Sequence, residues 1–107
     1  MDRHKAAMMI GIARKAGKIA GGEFAAEKAV KENRACLLIL SEDASDNTVK
    51  KFTDMASARQ VRVIRFLPKA ELGRADGTGE RSCLAVTDEG LAGAILKAAA
   101  MTERSVL

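Results

Sequence analysis

Along the chain, segments whose apolar residues recur at three- and four-residue spacing alternate with short segments that are apolar throughout or interleaved with charge. Ala6, Met9, Ile10, Ala13 and Ala16 lie on one helical stripe, with Arg3, Arg14 and Lys15 off it, and Gly17 supplies a stop. Lys18 to Gly21 reads as a brief strand running into a Gly-Gly turn. Glu23 to Asn33 reads as a second helix, with acids early (Glu23, Glu27) and cations late (Lys28, Lys31), the order that suits the helix dipole. Its apolar edge is expected at Phe24, Ala26 or Glu27, and Val30, so Phe24 is expected to be packed rather than displayed.

Cys36 to Leu40 is a continuous apolar run of strand length, as expected of a strand covered on both faces. A polar turn, Ser41 to Asp46, follows, in which Ser45 or Asp46 can cap a third helix with Val49, Phe52, Met55 and Ala56 on its inner face. Val61, Val63, Ile64 and Phe66, interleaved with Arg62 and Arg65, predict an edge strand, since cations protect exposed edges. Pro68 opens a short helix that includes Lys69, Ala70 and Leu72. The stretch from Gly73 to Ser82 holds three of the nine glycines and is expected to be irregular, a candidate binding loop. Cys83 to Val86 returns to strand, Asp88 can cap, and Leu91, Ala94, Ile95 and Ala98 mark the last helical face, with fraying expected from Thr102 to Leu107. Strands alternating with helices give an α/β class, with helices on both sides of a four-stranded sheet. No repeat or linker divides the chain, so residues 1–107 are expected to form one domain.

Composition sharpens this picture in two respects. The net charge of +4 is not evenly spread: residues 1–18 carry +4 by themselves and residues 59–74 another +4, so the remainder is acidic on balance. Two basic zones suit phosphate contact. The chain has no Trp, no Tyr and only Phe24, Phe52 and Phe66, which excludes the aromatic platforms that stack bases in RRM and OB folds. Recognition of nucleic acid would then fall to backbone, charge, polar contacts and shape.

Other chemistry has little to work with. Cys36 and Cys83 sit in apolar runs and are expected to be buried, reduced thiols. His4 is the one histidine, in a charged segment, with no CxxC, so no metal site and no cofactor are expected. Gly73, Gly77 and Gly79 match neither GxGxxG nor GxxxxGK[ST]. Glu42, Asp43 and Asp46 read as helix-capping acids rather than a cation site or an acid–base pair, and no nucleophile has a base partner, so no enzyme is expected. No apolar run reaches the roughly 20 residues of a membrane span. Residues 6–13 lead into Arg14 and Lys15 rather than a cleavage site, which favours a helix of a cytoplasmic protein.

The segments Ile12-Ala13-Arg14-Lys15-Ala16-Gly17-Lys18, Gly21-Gly22-Glu23 with Lys28-Ala29-Val30, Leu38 to Ser45, Glu71 to Ala75, and Ala85-Val86-Thr87-Asp88-Glu89-Gly90 occur in an order that resembles the L7Ae superfamily of kink-turn RNA-binding ribosomal proteins. The Gly-Glu, Glu-Asp-Ala-Ser and Thr-Asp-x-Gly elements are similar to those of its bacterial YlxQ-like branch. The resemblance implies a three-layer α-β-α sandwich around a four-stranded mixed sheet. It also implies that the second helix, the glycine turn before it and the loop before the last strand grip a kinked or bulged RNA helix.

Aligning the family's Gly-Thr-Asn-Glu-x-x-Lys motif on Lys28 puts Gly22, Glu23, Phe24 and Ala25 on its first four positions. Gly22 and Lys28 match, whereas Phe24 and Ala25 replace the Asn and Glu that read sheared G·A pairs in the family. The family's aliphatic loop falls on Thr78-Gly79-Glu80-Arg81-Ser82, which is polar. The residues expected at RNA are therefore Lys18, Gly21, Gly22, Glu23, Phe24, Ala25, Lys28, Thr78, Gly79, Glu80 and Arg81, with Lys18, Lys28 and Arg81 neutralising phosphates. The implied function is binding of structured RNA, ribosomal RNA among the hosts, with relaxed or altered specificity. The alternative is a non-catalytic protein adaptor using the same fold, with Arg62 and Arg65 meeting an acidic partner.

Overall fold

The computed structural model describes residues 3–103, and the surroundings of side chains up to residue 99. Five helices alternate with four strands: α1 Arg3–Lys15, β1 Ile19–Gly21, α2 Glu23–Lys31, β2 Leu37–Leu40, α3 Asp46–Arg59, β3 Arg62–Arg65, α4 Lys69–Ala75, β4 Cys83–Val86 and α5 Glu89–Glu103. The sheet order is β1-β4-β2-β3; β4 runs antiparallel to both β1 and β2, and β2 and β3 are parallel, so the sheet is mixed as expected.

The period of two in the central strands divides the core. Leu37 and Ile39 of β2, with Leu84 and Val86 of β4, face a layer made by α1, α4 and α5, where Ala6, Ile10, Leu72 and Ile95 are buried. Leu38, Leu40, Cys83 and Ala85 face the opposite layer, where α2 contributes Ala26, Ala29 and Val30 and α3 contributes Phe52 and Ala56. All eight residues of β2 and β4 are fully buried, which is why neither strand alternates in sequence. Arg62 and Arg65 lie exposed at the ends of β3, the edge strand.

The local signals mostly act where they were read. Lys18 N–H bonds Ala13 O and Gly17 N–H bonds Arg14 O while Gly17 takes φ +75°, the Schellman arrangement that stops α1. Ser45 caps α3 through Thr48 N–H at 3.2 Å, and Asp88 accepts from Leu91 N–H at 2.9 Å at the start of α5. Asp43 accepts from Lys69 N–H at 2.9 Å, tying the β2–α3 turn to the start of α4, and that bond holds its carboxyl below the ordinary value.

Four expectations need correction. Gly73 to Ala75 belong to α4, so the irregular stretch begins at Asp76. The helix carries a glycine at this position because a Cβ there would fall 2.5 Å from the Glu80 Cα, and only glycine lets the returning loop pack so closely. Cys36 is half-buried rather than buried, standing one residue before β2. Thr102 and Glu103 continue α5, while residues 104–107 lie outside the described part of the chain. Phe24 is 85% exposed. The inner face of α2 is set by Ala26, Ala29 and Val30, and at 3.6 residues per turn Phe24 sits roughly 200° from Ala26, on the outer face with Lys28 and Lys31.

Candidate functional site

The β1–α2 turn and the α4–β4 loop meet at one corner of the sheet because β1 pairs with β4, with Gly21 opposite Leu84. Gly22 N–H donates to Cys83 O at 3.0 Å, and Gly22 takes φ +91°, where a side chain would be strained. The α4–β4 loop is pinned by its own backbone: Thr78 N–H bonds Gly73 O at 2.8 Å and Arg81 N–H bonds Lys69 O at 3.0 Å. A loop so tied presents its side chains from a fixed frame.

Arg81 is the hinge of this corner. Its Nε donates to Asp76 Oδ2 at 2.8 Å, with Asp76 almost fully buried and the arginine side chain about one-third exposed. The guanidinium lies against the glycine turn so closely that a Cβ on Gly21 would stand 2.9 Å from Nε and one on Gly22 3.1 Å from an Nη. A Cβ on Gly21 would meet Asp76 Oδ2 before it met the guanidinium, so Gly21 leaves room for the buried carboxylate, while Gly22 is required by its positive φ. At the residue after Asp76, the Arg14 guanidinium lies against Gly77, where a Cβ would come within 2.6 Å of Cζ. Gly21, Gly22, Asp76, Arg81, Gly77 and Arg14 therefore share this corner, and Lys28 lies further along α2.

Its electrostatics leave cations available. Among the described residues, Arg14, Lys15, Lys18 and Lys28 form no ion pair, whereas Lys31 and Lys51 both hold Glu27, at 2.7 and 2.8 Å. Those two lysine bonds pull Glu27 down to about 2. Glu23 is turned aside: its Oε2 accepts from Thr48 Oγ at 3.1 Å and from Ser82 Oγ at 3.5 Å, linking the start of α2 to the start of α3. The first turn of α2 has no side-chain cap, so its leading N–H groups stay open to an anion.

Of the expected RNA-contacting residues, Gly21, Gly22 and Arg81 are in mutual contact, and Glu23, Phe24, Ala25 and Lys28 continue from them along α2. Thr78, Gly79 and Glu80 are exposed on the adjoining loop. Lys18 stands apart: its O accepts from Thr87 N–H at 2.9 Å, at the far end of the β1–β4 pairing, roughly 10 Å of strand from Gly21. Arg14 is not among the residues expected at RNA, although it lies in the first basic zone and inside the Ile12–Lys18 segment; only the fold brings its guanidinium against Gly77. The acids Glu42, Asp43 and Asp46 serve the fold: Glu42 pairs with Arg3 at 3.1 Å, Asp43 holds Lys69 N–H and Asp46 lies in the first turn of α3.

The family model for "Ribosomal protein L7Ae/L30e/S12e/Gadd45 family" matches residues 5–95. The chain belongs to this family. It is 39% identical over 88 residues to the RNA-binding protein YlxQ of Bacillus subtilis (strain 168), covering 82% of this chain and 88% of that protein. It is 32% identical to the RNA-binding protein YlxQ of Enterococcus faecium, covering 85% and 87% respectively. Among solved structures, a protein with unknown function from Bacillus halodurans C superposes with a TM-score of 0.85 at 33% identity, covering 88% of this chain and 95% of that one. The Giardia lamblia 15.5kD RNA binding protein superposes with a TM-score of 0.79 at 18% identity, covering 97% and 90%, a likeness of fold. The family's L7Ae membership thus agrees with the sandwich and with the resemblance read from the sequence.

Proposed function

We propose that this protein binds structured RNA at the corner formed by the β1–α2 turn, the first turns of α2 and the α4–β4 loop. The observation that carries the reading is Arg81, fixed by Asp76 against the Gly21–Gly22 turn, with Arg14 against the adjoining Gly77 and Lys28 further along α2, two cations that have no ion-pair partner among the described residues. An arginine whose Nε is already held presents its remaining N–H groups in one plane, which suits phosphate oxygens. The open N–H groups of α2 add a partial positive charge beside it. Such contacts position an RNA without reading its sequence.

RNA-binding proteins among the relatives support this reading. We take the host to be a bulged or kink-turn-like RNA helix, ribosomal RNA included, in the cytoplasm. No described helix is long and apolar enough to cross a membrane. Phe24 and Ala25 cannot make the polar contacts of an Asn-Glu pair, so the specificity differs from that of the family's motif.

Crosslinking in the protein's own cells, followed by sequencing of recovered RNA, tests the reading. Enrichment of a small set of structured RNAs is expected. Recovery of no enriched RNA would instead favour an adaptor, for which exposed Arg62 on the β3 edge offers the contact.

A further inference from the structure

The three phenylalanines have opposite fates. Phe52 and Phe66 are 0% and 3% exposed, whereas Phe24 is 85% exposed. An aromatic ring so displayed contributes almost none of its surface to the core, and Ala26, Ala29 and Val30 make the inner face of α2 without it. Phe24 opens a shallow groove of about 360 Å³ along the outer face of α2, shared with Glu27, Lys28, Lys31 and Glu32. The two carboxylates of the groove are occupied: Glu27 by Lys31 and Lys51, and Glu32 by Arg34 at 2.9 Å. Lys28, one helical turn after Phe24 on the same face, has no ion-pair partner among the described residues.

A flat π surface, an available ammonium and open helix N–H groups within one turn fit a nucleotide, base on the ring and phosphate on Lys28 and the N–H groups. We propose that Phe24 stacks a single unpaired base of the bound RNA, which rests on the RNA-binding reading above and names what that site selects. One base is the limit, because the other two rings are buried and the chain has no Trp or Tyr with which to continue a platform. The neighbouring contacts at Gly22 and Arg81 are of the backbone-positioning kind. The ligand is therefore a helix with one extruded base rather than a single strand. The scarcity of aromatics excludes a multi-base platform and leaves room for this one ring.

The probe is an RNA hairpin carrying 2-aminopurine at a single bulged position, compared with the fully paired hairpin and with a single-stranded oligonucleotide, each bearing the same label. Excited on the red side of the Phe and Tyr absorption, the emission reports the base alone in the parent protein, which has no Trp, and in each variant. The bulged hairpin is expected to bind best and to be quenched. Phe24→Tyr should retain both properties, while Phe24→Ala should bind about tenfold more weakly or worse and lose the quench, with an unchanged melting curve and an unchanged salt slope. If Phe24→Ala binds and quenches like the parent protein, the stacking role is wrong while RNA binding stands. Equal or tighter binding of the single strand overturns the choice of an extruded base. If the parent protein binds none of the three RNAs, both readings fall together.

Discussion

The Nε of Arg81 donates to Asp76 Oδ2 at 2.8 Å, and the guanidinium held there covers the Gly21–Gly22 turn. Asp76 is 7% exposed, so removing its charge strands a partly buried cation at the centre of the corner. Asp76→Asn is expected to lower stability by about 1–3 kcal/mol in urea unfolding and to weaken RNA binding, because Arg81 is no longer held in one plane. An unchanged unfolding midpoint would contradict the pairing.

Two glycines in helices should respond to alanine with opposite signs. Gly73→Ala drives a Cβ to 2.5 Å from the Glu80 Cα, a backbone atom that cannot step aside without moving the loop, and a loss of about 1–3 kcal/mol is expected. Gly93 in α5 has open space around its Cβ position, and Gly93→Ala should gain about 0.5–1 kcal/mol. Thermal or chemical denaturation of the pair reads both signs in one comparison.

Lysine bonds from Lys31 and Lys51 hold Glu27 at about 2 against an ordinary 4.5, so the folded chain keeps this carboxylate ionised where the unfolded chain protonates it. The stabilisation is present in full above 4.5 and is lost as pH falls through about 2. A carboxyl-carbon titration followed by NMR should place the Glu27 midpoint near 2; a midpoint near 4.5 would show that the ties between α2 and α3 do not form in solution.

Burial pushes the Cys83 thiol up to about 12, and burial followed by the charges of Glu89 and Asp88 raises Cys36. Since the thiolate is the reactive form, a disulfide reagent at pH 8 should label Cys83 only after denaturant is added and Cys36 slowly before it. Rapid labelling of both thiols in the folded protein would contradict the packing of β4.

Much of this fold was legible in the sequence because its signals are local: the all-apolar β2 and β4, the Gly17 stop and the Ser45 cap each need only a few neighbouring residues. The misreadings came from contacts between distant segments. Gly73 looks like a helix breaker until Glu80 is seen packed on it, and Arg14 is one cation of a basic zone until the fold sets its guanidinium against Gly77. Phe24 is a different case, since the spacing of Ala26, Ala29 and Val30 already places it on the outer face; its aromatic character outweighed its register. At the site, the resemblance points to Gly22, Lys28 and Arg81 without revealing that Asp76 organises the arginine, and it adds Lys18 although the strand read from Lys18 to Gly21 already sets that residue a strand's length from the turn.

The central claim, that RNA meets this corner through its unpaired cations, is tested most directly by the salt dependence of binding to a bulged RNA hairpin. Lys28→Ala combined with Arg14→Ala removes two cations that support no ion pair among the described residues, and Arg62→Ala removes one from the opposite sheet edge. The double variant is expected to bind more weakly and to flatten the slope of log K against log salt by about 2, while Arg62→Ala leaves both unchanged. A double variant with the parent slope, or an Arg62→Ala variant with the shallower one, would place the RNA elsewhere.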